Sequence, residues 1–309
     1  LDLLTRMDLA LAYVENNLTG EIDQEVLARI ACCSAYNFSR MFSFITDISL
    51  AEYIRRRRLT MAAMELQQGG NIKVIDLALK YGYDSPVSFS RAFRALHGVT
   101  PTEARAGGVT LKAYPRISFQ ISVKGEKRMD YRIENKEAFQ VFGYEGIFDT
   151  DGIGPNADIL HDNAVHPNNP HELWDHNYVN GAYEKLAADA GDLPPFVSPG
   201  LCKVHGVCDY KQTEPGTFAY MQCAFKNKNS KVDGYTVVNI PASTWVIFPS
   251  EKFKWDTVVE VVNNLHKRFF SEWLPTAEYE QANGMNFEIH GGDSDMGYVE
   301  LWYAVKKKA

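Results

Sequence analysis

Apolar residues recur at helical spacing through the first hundred positions, and at strand spacing through much of the remaining chain. Phe38, Met41, Phe42 and Ile45 fall at i, i+3, i+4 and i+7 and make one apolar stripe. The opposite arc carries Tyr36, Ser39, Arg40 and Ser43, and Ser34 stands where a helix N-cap is expected. Upstream, QEVLARIACC has its own helical spacing and leaves only a short connection. The pattern then returns: SAYNFSRMF at 34–42 and SPVSFSRAF at 85–93 agree at five of nine places, 51 residues apart. IKVIDLALKYG supplies the second supporting helix, with Gly82 placed to end it. Ser85 is the expected cap and Pro86 fits the first turn. Phe89, Ala92, Phe93 and Leu96 face inward, while Val87, Ser90, Arg91 and Arg94 face outward. Between the copies, SLAEYIRRRRLTMAAMELQQGG predicts one long helix ended by Gly69-Gly70. One such pair of short helices reads equally well as part of a bundle with solvated Arg and Ser. Two in-phase pairs joined by a helix point to paired helix-turn-helix units with both arginine-bearing helices on one open surface.

Past Arg105 the period changes. AGGVTLKAYP is a Gly- and Pro-marked linker, and ISFQISV and MDYRIE flank KGEK as a hairpin. A strand in AFQVFGYEG, a helix near ELWDHNYVNGAYEKLAADA and strands in CKVHGVCDY and GTFAYMQCAF come next. The order recurs as strand YTVVNIPASTWVIFPS, helix WDTVVEVVNNLHKRFFSEWL, and strands NFEIH and GYVELWYAV. The expected fold is multidomain: an all-α domain over 1–108 with two helix-turn-helix units, then an α+β domain over 109–309. Its pseudo-twofold strand-helix-strand-strand repeats should carry helices on one sheet face.

Charge and composition narrow the function. The net charge is −7, yet residues 29–105 hold eleven basic and six acidic side chains, a local patch rather than a generally basic protein. No apolar run approaches the ~20 residues of a membrane span. The opening LDLLTRMDLALAYVENNL lacks the basic region of a signal peptide. Five scattered cysteines suggest free thiols in the cytoplasm. Strand alternation in LCKVHGVC sets His205 opposite Cys202 and Cys208, against a zinc cluster. His161, His166, His171 and His176 recur every five residues, one more than the helical metal pair of H-E-x-x-H, and read as an insert beside the pocket. Neither a metal nor a cofactor is expected.

The first third of the chain resembles the DNA-binding domain of AraC/XylS-type regulators. The resemblance rests on Arg40-x-Phe42, Tyr53-Ile54, Arg58-Leu59, Ala62 and Ile75-Asp76-Leu77-Ala78. It continues through Gly82-Tyr83, Phe89-Ser90-Arg91-x-Phe93, Gly98, Thr100-Pro101 and Arg105. Asp47 departs from it, standing where the second unit has Gly98. The resemblance implies promoter DNA as partner, contacted in two adjacent major-groove segments, with the base readers among Tyr36, Ser39, Arg40, Val87, Ser90 and Arg91 and with Ser43 also on the DNA-binding face. Arg94, Lys73 and one or more of Arg55 to Arg58 are expected on phosphates, with Arg58 bonding within the protein. RNA polymerase is a further expected partner, since activation is the usual outcome for such regulators.

The remainder resembles a GyrI-like effector-binding domain, carried by the early hairpin, SEWLPTAEYE, and Phe287-Glu288 ahead of YVELWYAV. That resemblance makes Glu288 the charge partner of a small, lipophilic, cationic effector, a chemistry that aromatic walls reinforce through cation–π attraction. Strand alternation adds Trp302 beside it, with Tyr220, Trp245 and Trp273 as further walls. The expected protein is a transcriptional regulator without enzymatic activity. The alternatives are a GyrI-like small-molecule hydrolase using Glu288 and a neighbouring tyrosine, or a tail that serves as a protein-contact module.

Overall fold

Ser49 accepts from the Glu52 amide and starts α4 (Leu50–Gln67), the long helix that organises the first part of the protein. The computed structural model describes residues 3–68, 72–106, 108–119, 129–149, 169–198, 200–214 and 217–308. Gly69-Gly70, the KGEK turn, His161 and His166 lie outside them. Two units are distinguished, one drawn from residues 1–35 and 48–121, the other from 36–47 and 122–309.

The first unit contains α1 (Leu3–Asn16), α2 (Gln24–Ala31), α4, α5 (Val74–Lys80), α6 (Pro86–His97) and α7 (Pro101–Ala106). Leu59, Leu66, Leu77, Phe89, Phe93 and Leu96 form its core, the apolar stripe expected for the second helix-turn-helix. Ser85 accepts from the Ser88 amide with Pro86 in the first turn of α6, and Gly82 takes φ +76° after α5. A side chain at Gly82 would meet the Arg58 guanidinium at 2.8 Å. Arg58 donates to the carbonyls of Leu18 and Gly20, as the sequence suggested. Arg55 and Arg56 pair with Glu52, so all four consecutive arginines are engaged within the unit.

Arg57 is the most deeply held of them. It makes a bidentate pair with Glu15, each side chain 10% exposed, and its third nitrogen donates to the Tyr114 carbonyl at 2.6 Å. The segment expected to be a linker lies along α4: Leu111 and Tyr114 pack on the core, and the Tyr114 amide donates to Thr60. Removing one partner of such a pair leaves the other buried and uncompensated. Arg57→Ala should cost about 3 kcal/mol of unfolding free energy, measured by urea denaturation, against under about 1 kcal/mol for the more exposed Arg55→Ala.

The second unit is built on one eight-stranded antiparallel sheet. Its strands are β1 (Arg132–Lys136), β2 (Phe139–Asp149), β3 (His205–Cys208) and β4 (Thr217–Phe225), then β5 (Thr236–Ile240), β6 (Ser243–Pro249), β7 (Tyr279–Gly292) and β8 (Gly297–Lys307). The spatial order is β1-β6-β8-β7-β3-β4-β2-β5. This is the pseudo-twofold arrangement expected, with one refinement: each half is strand-strand-helix-strand-strand, and the halves exchange their first strands. β1 pairs with β6 and β5 pairs with β2, while most of the hairpin expected from ISFQISV and the KGEK turn lies outside the described residues. The stretch read as one strand, YTVVNIPASTWVIFPS, is split into β5 and β6 around Pro241, which has no amide for the ladder. The helix expected over 172–190 is likewise two, α8 (Pro170–Val179) and α9 (Ala182–Asp189), divided where Gly181 adopts φ +78°. α10 (Val258–Arg268) ends in a π turn, Phe269–Trp273.

The helices lie on one sheet face. Leu173 of α8 packs with Phe148, Phe218 and Tyr220, and Leu186 of α9 with Phe142 and Ala224. On the other face Trp245, Phe287, Ile289 and Trp302 form the main core, closed by Val197 and Leu201. α3 (Ala35–Thr46), the helix of the first Phe-Ser-Arg segment, is grouped with this unit from Tyr36 onward. Asp47 comes after it with φ +59°, the left-handed conformation that Gly98 adopts after α6, so the departure from glycine leaves the backbone turn intact.

Candidate nucleic-acid interface and ligand cavity

The two Phe-Ser-Arg helices have different fates. On α6, Val87 is 67% exposed, Arg91 and Arg94 are exposed, and Ser90 is half-buried, which is the outward face the spacing predicted. Phe89 and Phe93 anchor the opposite side with no exposure. On α3 the outward expectation fails: Tyr36, Ser39, Arg40 and Ser43 are 3, 9, 4 and 2% exposed. The physical reason is a second apolar surface on that helix. The Tyr36 ring stacks on Phe218 at 4.4 Å, and Phe44 stacks on His266 at 4.5 Å. In this arrangement the Tyr36, Ser39, Arg40 and Ser43 face of α3 is closed and the Val87, Ser90 and Arg91 face of α6 is open.

The second unit holds a cavity of about 1100 Å³ between the sheet and the helices on its face. Cross-strand register builds its floor. Glu288 of β7 sits opposite Gly206 of β3, and Gly206 sits opposite Gln222 of β4. A Cβ at Gly206 would lie 2.2 Å from the Tyr220 hydroxyl, so glycine lets Tyr220 lean across β3. That hydroxyl accepts from Trp174 Nε1 at 2.7 Å and donates to Glu288 Oε2 at 3.2 Å. Glu288 keeps 18% of its side chain exposed, toward the cavity.

Its other carboxylate oxygen lies 3.7 Å from His266 Nε2. Arg40 Nη2 donates to that same nitrogen at 2.9 Å and to Asn286 Oδ1 at 3.1 Å. A guanidinium can only donate, so Nε2 is the acceptor and the ring proton sits on Nδ1, against the Tyr303 hydroxyl. Burial, reinforced by Arg40, pulls the His266 pKa down to about 4. At neutral pH the cationic member of this cluster is therefore Arg40, which is linked to Glu288 through His266. Burial alone pushes the Glu288 carboxyl up, but His266, His290 and Arg40 more than offset this and hold it at about 2. Burial lowers Arg40 itself, and the surrounding acidic groups, Glu288 among them, raise it further. A carboxylate kept ionised in an aromatic-walled cavity is suited to a cation.

Among the walls expected from sequence, Tyr220 lines the cavity and three tryptophans do not. Trp302 pairs with Phe287, whereas Glu288 pairs with Leu301, so the register turns Trp302 to the opposite face. Trp245 lies in that same core, 5.5 Å from Phe287. Trp273 packs against Phe248, Phe269 and Tyr131. Trp174, Trp255, Tyr178 and Tyr183 line the cavity instead. Trp174 and His266 were missed because a helix presents them across from a strand, a pairing that no local spacing reveals. Among the described residues no group of His, Cys, Asp and Glu is placed to hold a metal, and no helix is long and apolar enough to cross a membrane.

The buried histidines set a pH response. Burial lowers His205 to about 3 and His266 to about 4, and also lowers His290. The unfolded chain takes up these protons near pH ~6.5, so their contribution is complete above that value and is lost as pH falls toward 4. Burial lowers His97 as well, and Asp209, which burial raises to about 6, works in the opposite direction, as a single group against four. The unfolding temperature should therefore fall between pH 7 and pH 5, as scanning calorimetry would record.

Residues 27–107 match a helix-turn-helix domain family, and residues 132–305 match the family described as integron-associated effector binding protein. Over 92 residues, 30% of the chain, the sequence is 41% identical to the HTH-type transcriptional activator AarP of Providencia stuartii, covering 67% of it. Over 95 residues, 31% of the chain, it is 34% identical to the regulatory protein SoxS of Escherichia coli K12, covering 88% of it. An integron cassette protein from the mobile metagenome of Vibrio cholerae is similar to 57% of the chain, with 95% of its own length covered, 17% identity and a TM-score of 0.34. With over half of its length matched by the effector-binding family, the chain belongs to the integron-associated effector-binding proteins, and it is a DNA-binding regulator that carries an AraC-type helix-turn-helix domain ahead of a GyrI-like one.

Proposed function

We propose that this protein is a cytoplasmic transcriptional activator with a DNA-binding domain over 1–108 and an effector domain over 109–309. The effector is a lipophilic organic cation that binds against Glu288, and RNA polymerase is the partner of the DNA-bound form. The observation that carries this reading is the ionised Glu288 carboxylate open to a cavity of about 1100 Å³ with Trp174 and Tyr220 beside it. DNA is read by Val87, Ser90 and Arg91 of α6, with Arg94 on phosphate, and by Tyr36, Ser39, Arg40 and Ser43 once α3 is exposed. Activation is the sense suggested by the likeness to AarP.

Catalysis is not part of this reading. Burial pushes the Cys208 thiol up to about 12, which leaves it protonated and a poor nucleophile. The pKa of Tyr220 is also raised, so its hydroxyl supplies a hydrogen bond to Glu288 rather than a base.

Two probes of matched shape and opposite charge test the effector class. Tetraphenylphosphonium should raise the unfolding temperature of the full chain in a thermal-shift assay, and tetraphenylborate should not. A response to the borate that equals or exceeds that to the phosphonium contradicts the role of Glu288.

A further inference from the structure

We propose that Arg40 is a built-in occupant of the cation subsite, so that α3 and an effector cation compete for Glu288 and effector binding releases the first DNA-reading helix. This rests on the cation reading above and adds its regulation. Every residue of α3 from Tyr36 to Phe44 is buried, and Tyr36, Arg40 and Phe44 line the cavity together with Glu288. The Arg40 guanidinium sits 5.4 Å from the Phe44 ring centroid and bonds to His266 and Asn286. The Phe44 ring lies beside this cation and Glu288 reaches it through His266, and an aromatic ring and a carboxylate are the chemistry a lipophilic cation needs. The protein therefore supplies its own ligand from the helix that bears the Tyr36, Ser39, Arg40 and Ser43 face.

The seat of α3 is built to fit yet incompletely satisfied. Gly284 takes φ +81° in the irregular part of β7, and a Cβ there would fall 1.7 Å from the Asn37 amide nitrogen. That amide donates to Asp209 at 2.9 Å. A side chain at 284 would displace the Asn37 amide from Asp209 and strain the positive-φ backbone, loosening the seat of the helix. Arg40, in contrast, leaves Nε and Nη1 buried without partners among the described residues. Such a cation is held less firmly than a fully bonded one, so a competing cation that needs fewer hydrogen bonds can replace it. Linkage requires the reverse as well: DNA that captures α3 tightens cation binding by the same factor.

Two measurements on the full chain decide this. Without any ligand, amide hydrogen exchange across residues 36–47 should be slow in the wild type. In Gly284→Ala it should be at least about tenfold faster, with exchange in β8 unchanged. Fast exchange already in the wild type, or no change in the variant, overturns the seating of α3. The second readout is tetraphenylphosphonium affinity by calorimetry. Gly284→Ala and Arg40→Met should each bind it about tenfold more tightly, and the two together should gain little more than either alone. Equal affinity in wild type and both variants overturns the competition while leaving the cation reading intact, because Glu288→Gln still weakens binding at least about 30-fold. No binding to any form overturns the cation reading and the competition together, and the exchange data then decide the seating alone.

Discussion

Arg91→Ala should cost the cation-free protein its sequence-specific DNA binding, while Arg40→Ala costs it little. Arg91 stands exposed on α6 among Val87, Ser90 and Arg94, with Phe89 and Phe93 fixing the helix from behind. An arginine paired with guanine contributes about 1–3 kcal/mol of discrimination, roughly 5- to 150-fold in affinity. Arg40 is 4% exposed and hydrogen-bonded to His266 and Asn286, so it has nothing to lose on DNA until α3 is released. With tetraphenylphosphonium present the two variants should be impaired alike. Fluorescence anisotropy at fixed salt, on an operator recovered from random-sequence DNA, separates these outcomes. Arg94→Ala serves as the comparison, lowering affinity for all sequences and reducing the salt slope by about one. A double Arg40 and Arg91 alanine variant that still selects its operator contradicts the assignment of the reading faces.

Glu288→Gln should act on both ligand affinity and stability. Losing the carboxylate removes the charge partner of any cation in the cavity. Truncating one side of such a desolvated pair costs about 2–5 kcal/mol, so tetraphenylphosphonium affinity should drop at least about 30-fold. Without ligand, the same change removes the negative charge that Arg40 feels through His266, while its hydrogen bonds to His266 and Asn286 remain. The second unit should then lose about 1–3 kcal/mol of unfolding free energy, less than for a directly paired buried charge. Glu288→Gln combined with Arg40→Met should recover most of that loss in a urea titration. Additive losses would mean that the two side chains do not share one charge balance.

The second helix-turn-helix was legible because its signals are local. Phe89, Phe93 and Leu96 repeat at helical spacing, Ser85 caps, Pro86 fits the first turn, and Gly82 supplies the positive φ that ends α5. Glu288 and Tyr220, expected at a pocket from resemblance and strand alternation, both line the cavity. Trp302 was misplaced because alternation fixes which residues of one strand share a face, and only the register with β7 says which face that is. The exchange of β1 and β5 between halves was hidden for the same reason, since pairing partners more than 90 residues apart leave no trace in local pattern. α3 carried a signal that was overlooked. Tyr36 and Phe44 stand outside the Phe38, Met41, Phe42 and Ile45 stripe and widen the apolar part of the helix well beyond one face, enough for a second packing surface. α6, with arginines at 91 and 94 and an alanine at 92, has no such second surface.

Operator affinity of the full chain, titrated with tetraphenylphosphonium at constant ionic strength, brings the DNA-reading helices and the cavity into a single measurement. Affinity should rise by at least about tenfold as the cation saturates, with no rise for tetraphenylborate and none in Glu288→Gln. Unchanged operator affinity at saturating phosphonium, or an equal rise with the borate, would contradict a regulator in which a cation at Glu288 frees α3 to read DNA.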